Sequence, residues 1–211
     1  MATRLRVRFE KTEQMRYTGH LDLYRTWERT IRRAGLPLAY SEGFKPHPRI
    51  SLASALPLGF TSQEELIDIY LEQELPLSDV LYALKHAAPP GVEVYEVVKI
   101  EGPQPATQVE MQAAEYFVTF IEVIPELEQH VQTLLLSPSL PRQRRGKNYD
   151  LRPLLLEAEV LTPDEKGRQR MRLVLRAQEG ATGRPEEVVL ALGAHPETAR
   201  FHRTRLIFRN S

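Results

Sequence analysis

Residues 41–51 read Ser-Glu-Gly-Phe-Lys-Pro-His-Pro-Arg-Ile-Ser and gather the chain's densest set of polar chemistry. Each proline fixes its own φ and pushes the preceding residue into an extended shape. Lys45 and His47 precede the two prolines and Arg49 follows them, so their donors sit on a stiffened scaffold. Such a scaffold suits an anion or a planar ligand; the plainer alternative is a loop with solubilising charges. Upstream, Arg25, Arg29, Arg32 and Arg33 fall at i, i+4, i+7 and i+8, one side of a helix. Four guanidiniums on one face repel one another and are relieved by nearby anions, although Asp22 and Glu28 offset part of the charge. Ahead of that stripe stand Tyr17, Thr18, Gly19 and His20. Thr18 is the expected N-cap and Asp22 suits the positive helix end. His20 is not needed as a cap, and a neutral ring there is free to act as base or acceptor. Tyr17 and Phe44 offer rings that could stack on unpaired bases. A further basic run, Arg142, Arg144, Arg145 and Lys147, is a second candidate contact.

The elements that must position these residues follow from periodicity. Leu5, Val7 and Phe9 alternate with Arg4, Arg6 and Arg8, the period of a strand. Leu23, Tyr24, Trp27, Ile31 and Ala34 recur at helical spacing and end at Gly35. Leu36–Tyr40 and Ile50–Ala53 read as strand pieces around the proline loop, and Leu66–Leu71 as a third strand. Leu77–Ala88 reads as a helix closed by Pro89, Pro90 and Gly91, and Val92–Ile100 as a strand. The order is βαββαβ. Residues 101–114 read as a linker. Beyond it, a strand over Tyr116–Val123, a helix from Pro125, an irregular then apolar stretch over 144–160, a strand at Met171–Arg176, a helix at Glu186–Leu192 and a strand at Arg205–Arg209 suggest the same pattern again. The fold class expected is therefore α+β: two tandem ferredoxin-like βαββαβ units with antiparallel sheets. Their bounds would be residues 1–100 and 115–211, joined by 101–114. Arginines alternate on three strands (Arg4/Arg6/Arg8, Arg170/Arg172/Arg176 and Arg203/Arg205/Arg209). They would line an open sheet face, where RNA-binding modules of this shape place their ligand, or would guard strand edges.

With 211 residues, 42% of them apolar, the chain can bury a substantial core. No apolar run approaches the ~20 residues of a membrane helix, and the first residues lack a signal-peptide core, which predicts a cytoplasmic protein. The chain has no cysteine, so it supplies no disulfide, thiolate zinc site, cysteine nucleophile or cysteine-ligated iron–sulfur cluster. No pair of its six histidines has a ligand spacing, and no metal site is expected. Formal net charge is zero, but residues 1–63 hold eleven Lys/Arg against five Asp/Glu, residues 64–130 two against fourteen, and residues 131–211 fifteen against nine. The separation permits local basic surfaces that the overall balance hides.

Several segments also carry a resemblance. They are Tyr17–Leu23 (Tyr-Thr-Gly-His-Leu-Asp-Leu), Arg32–Pro37 (Arg-Arg-Ala-Gly-Leu-Pro), Tyr40–Ser51 and Leu56–Gly59 (Leu-Pro-Leu-Gly), with Asp150–Pro153 and Gly183–Val188 in the second half. Together they resemble the uncharacterised radical-SAM-linked protein family. Its members stand beside, or are fused to, a radical-SAM protein with a cobalamin-binding-like domain, and often neighbour ribosomal-protein and ribonuclease genes. The resemblance implies a radical-SAM partner in a heterodimer and an RNA context, and assigns no catalytic residue. The iron–sulfur cluster and S-adenosylmethionine would then belong to the partner, with no cofactor in this chain. The function expected is a non-catalytic subunit that binds RNA, tRNA foremost, for a radical-SAM modification enzyme. Tyr17, Arg25, Arg29, Arg32, Phe44, Lys45, His47, Arg49, Arg144, Arg145 and Lys147 are its candidate contacts. One alternative is a metal-independent endoribonuclease of the CRISPR repeat-processing shape, with His20 as base, Lys45 stabilising charge on the phosphate and His47 beside them. Another is a protein–protein adaptor docking through the acidic block, without RNA.

Overall fold

The alternation at the start of the chain becomes strand β1 (Thr3–Lys11), which buries Leu5, Val7 and Phe9 and turns Arg4, Arg6 and Arg8 to its other face. The structure is a computed structural model that describes residues 2–144, 146–178 and 180–209. It is a mixed α+β protein that divides into two units, Met1–Glu110 and Met111–Ser211.

In the first unit, helix α1 (His20–Arg33) lays Leu23, Trp27 and Ile31 on the sheet. Trp27 meets Phe9 edge-on, with ring centroids 4.7 Å apart and planes at 68°. This is a favoured aromatic geometry, and it fixes which side of α1 faces solvent. Gly35, at φ +67°, turns the chain out of the helix. Strands β2 (Ile50–Leu52) and β3 (Phe60–Leu71) follow, then α2 (Leu77–Ala87), burying Val80 and Leu84, and β4 (Val92–Lys99). The strands lie in the order β2–β3–β1–β4, and every pair is antiparallel. Two local expectations change. The N-cap of α1 is Gly19, without a side-chain cap, while the Thr18 hydroxyl points at Met15 Sδ, 3.6 Å away. Residues 36–40 form only isolated bridges, Leu38 to Leu71 and Tyr40 to Pro48. Pro37 and Pro48 have no N–H, so a continuous ladder cannot run through them.

The single turn α3 (Thr107–Glu110) closes the first unit, and the second opens with β5 (Met111–Phe120). Residues 111–114, expected to be linker, are therefore strand. Helix α4 (Leu127–Leu136) buries Leu127, Val131 and Leu134. A two-stranded hairpin, β6 (Pro141–Arg144) and β7 (Lys147–Asp150), comes next. Then come β8 (Leu155–Leu161), β9 (Arg170–Gln178), the short β10 (Ala181–Thr182), α5 (Pro185–Ala191) and β11 (Ala199–Phe208). The main strands lie in the order β8–β9–β5–β11, again all antiparallel, and β10 also pairs with β9. The hairpin and β8 replace the expected irregular stretch. Arg142, Gln143, Arg144, Lys147 and Asn148 are polar on both sides, so no alternation betrayed a hairpin there.

Arg4, Arg6, Arg8 and Arg172 are engaged by acids across the sheet, while Arg209 is exposed. Arg4 Nη2 lies 2.6 Å from Asp68 Oδ2, and Arg6 Nε lies 2.8 Å from Asp68 Oδ1. The Thr107 hydroxyl donates to Asp68 Oδ2 at 2.6 Å and accepts from Arg6 Nη2 at 2.8 Å. Arg4 also donates to the carbonyls of Gln104 (2.8 Å) and Pro105 (2.9 Å). Arg8 pairs with Glu64 and Glu96. Arg172 meets Glu115, Glu157 and Glu159, Arg205 reaches Glu115, and Arg203 is fully buried. Charges placed opposite one another on neighbouring strands satisfy themselves.

Burial alone would raise the pKa of Asp68, but hydrogen bonds from Arg6, Thr107 and Arg4 outweigh it and the net shift is downward. A depressed folded-state pKa contributes stability above the unfolded value, about 3.9, and loses it as pH falls further. Asp68→Asn is therefore expected to cost roughly 3 kcal/mol at neutral pH, because two part-buried guanidiniums lose their counter-charge. Urea unfolding across a pH series should show the wild-type advantage shrinking below about pH 4. Gly91 gives a second test. Its φ is +91°, and a Cβ there would stand 2.6 Å from Met15 Cγ and 2.8 Å from Met15 N. Gly91→Ala should lower stability by about 2 kcal/mol or more. Gly35→Ala, with φ +67° and nothing within 4 Å, should cost only about 1 kcal/mol in the same melts.

Candidate nucleic-acid interface

The proline-rich segment forms a loop with a bound neck and a bare tip. Ser41 N donates to the His47 carbonyl at 2.9 Å, and His47 N donates back to Ser41 Oγ at 3.0 Å. Below them Arg49 N donates to the Ala39 carbonyl at 2.9 Å. Ala39 N (2.7 Å) and Arg49 O (3.0 Å) bond the two backbone groups of Tyr70 on β3. Residues 42–47 are exposed beyond this neck. Gly43 has φ +124°, a shape that glycine adopts without penalty. It presents Phe44 wholly to solvent, with relative exposure 103%.

The neck also meets α1. The Tyr24 hydroxyl donates to the Pro48 carbonyl at 3.3 Å, and the Arg32 side chain bonds the Tyr40 side chain. Burial, then the neighbouring Glu28 charge, raises the Tyr24 pKa and keeps its hydroxyl a donor. Tyr40 and Glu28 raise that of Arg32, whose Nη2 lies 2.6 Å from Glu28 Oε1. Arg25 stands 3.5 Å from Asp22 on a wet face, a contact of little energetic weight. Arg29 and Lys45 are exposed, with no ion pair among the described residues. Arg49 lies over the Tyr70 ring at 4.3 Å, which orients its guanidinium.

One buried support escaped the sequence reading. Lys11 is fully buried, and its ammonium donates to the carbonyls of Phe60 (2.8 Å) and Arg16 (3.2 Å). Arg16 Nε donates to the Gly59 carbonyl, and Gly59 N returns a bond to the Arg16 carbonyl, both at 3.0 Å. These bonds hold the turn before α1. There Tyr17 is 74% exposed, its ring 5.6 Å from the Arg16 guanidinium, with Leu21 and Leu58 also exposed. Parity could have revealed Lys11, since it shares the inward side of β1 with Leu5, Val7 and Phe9.

The predicted residues thus fall into two groups. Arg32 and the loop neck meet directly, with Arg25 and Arg29 farther round α1 and Phe44, Lys45 and His47 beyond the neck. Lys45 and the His47 ring make no hydrogen bond or ion pair among the described residues, and His20 is the half-buried first residue of α1. Arg144 and Lys147 lie in the other unit, on the β6–β7 hairpin, where Arg142 Nη2 reaches the Glu187 carbonyl at 3.5 Å. Arg145 lies outside the described residues. Among the described residues no group of three His, Asp or Glu could hold a metal ion, and no helix is long and apolar enough to cross a membrane.

No curated protein matches the sequence. Among solved structures, chains from a Cbf5-Nop10-Gar1 complex and from an archaeal box H/ACA sRNP Nop10-Cbf5 complex align with TM-scores of 0.49 and 0.45, each at 12% identity over 96% of this chain. The chain spans about half of each, 48% and 47%. An unknown protein from Galdieria sulphuraria aligns over 98% of this chain and 99% of its own, at 12% identity and a TM-score of 0.30. Scores this low carry no functional argument. The match to a family model is firmer, for it covers residues 4–185: the chain belongs to the family described as "Uncharacterized protein conserved in bacteria (DUF2344)".

Proposed function

We propose that the first unit binds RNA, tRNA foremost, across the outer face of α1 and the 41–49 loop, and that the chain presents it to a radical-SAM enzyme. The observation that carries the RNA reading is Phe44, a wholly exposed aromatic ring beside Lys45 on a loop whose neck is fixed. An apolar ring held in water gains when a base stacks on it, and nearby cations serve the backbone. Arg25, Arg29, Lys45 and Arg49 would meet phosphates, Tyr17 would offer a second stacking ring, and His47 would add a donor. The sequence resemblance supports the enzymatic partner. A chain without cysteine leaves the cluster ligands to that partner. Both units we read as ferredoxin-like, on the strength of their matching strand orders.

Fluorescence anisotropy with a tRNA pool across a salt series tests the interface. Phe44→Ala should weaken binding by about 1–3 kcal/mol with little change in salt slope. Arg29→Ala/Lys45→Ala should weaken it and flatten the slope by roughly one unit per lost phosphate contact. Both variants should melt within about 0.5 kcal/mol of wild type, because the side chains are exposed. Unchanged affinity and slope in the double variant would sink the proposed surface. Co-purification with a radical-SAM protein encoded nearby tests the partner, and failure to associate at micromolar concentration, with and without RNA, would refute it.

A further inference from the structure

The second unit holds a cavity of about 490 Å³, the size of many small-molecule sites. It is framed by the β6–β7 hairpin, the turn at Leu154, the β10 segment and the residue that caps α5. Three cations line it: Arg144 and Lys147 from the hairpin, and Arg184 from the cap. Arg144 and Lys147 make no ion pair among the described residues. The carboxylate in the wall, Asp150, is turned to the backbone: Oδ1 accepts from Leu140 N at 2.7 Å and Arg152 N at 2.9 Å. These two bonds hold its pKa low, so it stays an anchored anion. Glu186, next to the cap, has an Oε2 shielded from solvent and without a hydrogen-bond partner among the described residues. Burial raises its pKa, against the pull of Arg184 and Arg144. Glu186 thus offsets part of the charge of Arg184 and Arg144, while Lys147 stands at the cavity wall without an ion pair among the described residues.

The cavity is not polar throughout. Tyr149 lines it, and its side chain is hydrogen-bonded to that of Glu187. Leu154 and Ala181 continue the apolar wall. A simple anion would leave that wall and most of the volume unused. Guanidiniums suit phosphate oxygens through paired N–H bonds, and an ammonium adds a point charge.

We propose that this cavity binds a phosphate monoester of nucleotide size, its phosphate on Arg144, Lys147 and Arg184 and its ring against Tyr149 and Leu154. The ligand is a free mononucleotide or the phosphorylated end of an RNA. The proposal is independent of the RNA surface on the first unit, whose cations it does not use.

Calorimetric titration of the full chain distinguishes the sources. The probes are adenosine and uridine monophosphate, inorganic phosphate, and a short single-stranded RNA ending in phosphate or in hydroxyl. A free-nucleotide site binds the monophosphates in preference to inorganic phosphate. An RNA-end site binds the phosphorylated RNA in preference to the hydroxyl-ended one. In either case Arg144→Gln/Lys147→Gln, on an exposed hairpin, should weaken binding about tenfold or more, since each charged hydrogen bond is worth roughly 1.5–3 kcal/mol. Arg29→Ala/Lys45→Ala should leave monophosphate binding unchanged, which separates this site from the first-unit surface. The proposal is overturned if no phosphate-bearing probe binds at millimolar concentration. It is equally overturned if inorganic phosphate binds as well as the nucleotides and the two RNA ends also bind alike, or if the hairpin variant, its fold checked by circular dichroism, binds the monophosphates and the phosphorylated RNA end like wild type.

Discussion

One carboxylate organises the first unit. Asp68 is 2% exposed and takes charge-assisted bonds from Arg4 and Arg6 and a hydroxyl bond from Thr107. The two arginines come from the first strand, and the threonine lies some forty residues beyond the aspartate. That arrangement draws 104–107 across the sheet face away from the helices, where Arg4 also takes the carbonyls of Gln104 and Pro105. Farther on, Gln108 Nε2 bonds Ser51 Oγ and the Leu52 carbonyl on β2. Each guanidinium has acceptors that match its fork, and the carboxylate has donors for both oxygens. A buried ion pair of this kind adds little net stability against an apolar core, but it penalises every arrangement that leaves one member bare. The cover over the sheet face follows from that constraint.

The same constraint sorts the basic residues. In the sequence, arginines of the first block look alike, whether on a strand or on a helix. In the fold, the acidic block supplies β3 and β4, and its acids come to rest opposite the arginines of β1. The strand arginines are thereby spent on structure. What stays without an ion pair among the described residues here is Arg29 on the outer side of α1 and Lys45 at the tip of the proline loop, because Trp27, Leu23 and Ile31 commit the other side of the helix to the core. Charge segregation along the chain is therefore a signature of strand pairing as much as of a ligand surface.

This explains what could be read in advance. Apolar periodicity fixes which side of an element is buried, so β1, α1 and α2 were legible from Leu5/Val7/Phe9, Leu23/Trp27/Ile31 and Val80/Leu84, and Gly35 marked a helix end. Periodicity says nothing about which polar group lies across the ladder, so the fate of Arg4, Arg6 and Arg172 stayed hidden. It fails also where both sides of a strand are polar, as in the β6–β7 hairpin. The loop at 41–49 was legible as stiff from its prolines, but its stiffness resides at the neck, in backbone bonds that Ser41, Ala39 and Tyr70 supply. The Lys11 ammonium, satisfied by two carbonyls, was visible only as a break in the pattern of an apolar row.

The fixed neck has a thermodynamic corollary. A loop ordered before it meets a ligand has already met its entropy cost during folding of the unit that anchors it. Its readiness is then linked to the stability of that anchor. Loosening the hold of Ala39 and Arg49 on Tyr70 would set the tip free without altering a single surface group. Affinity at the tip would fall in proportion to the fraction of molecules whose neck had opened. If the proposed binding holds, temperature or denaturant that frees Tyr70 from Ala39 and Arg49 would weaken it without altering the core, which would make the loop a gauge of the local integrity of β3.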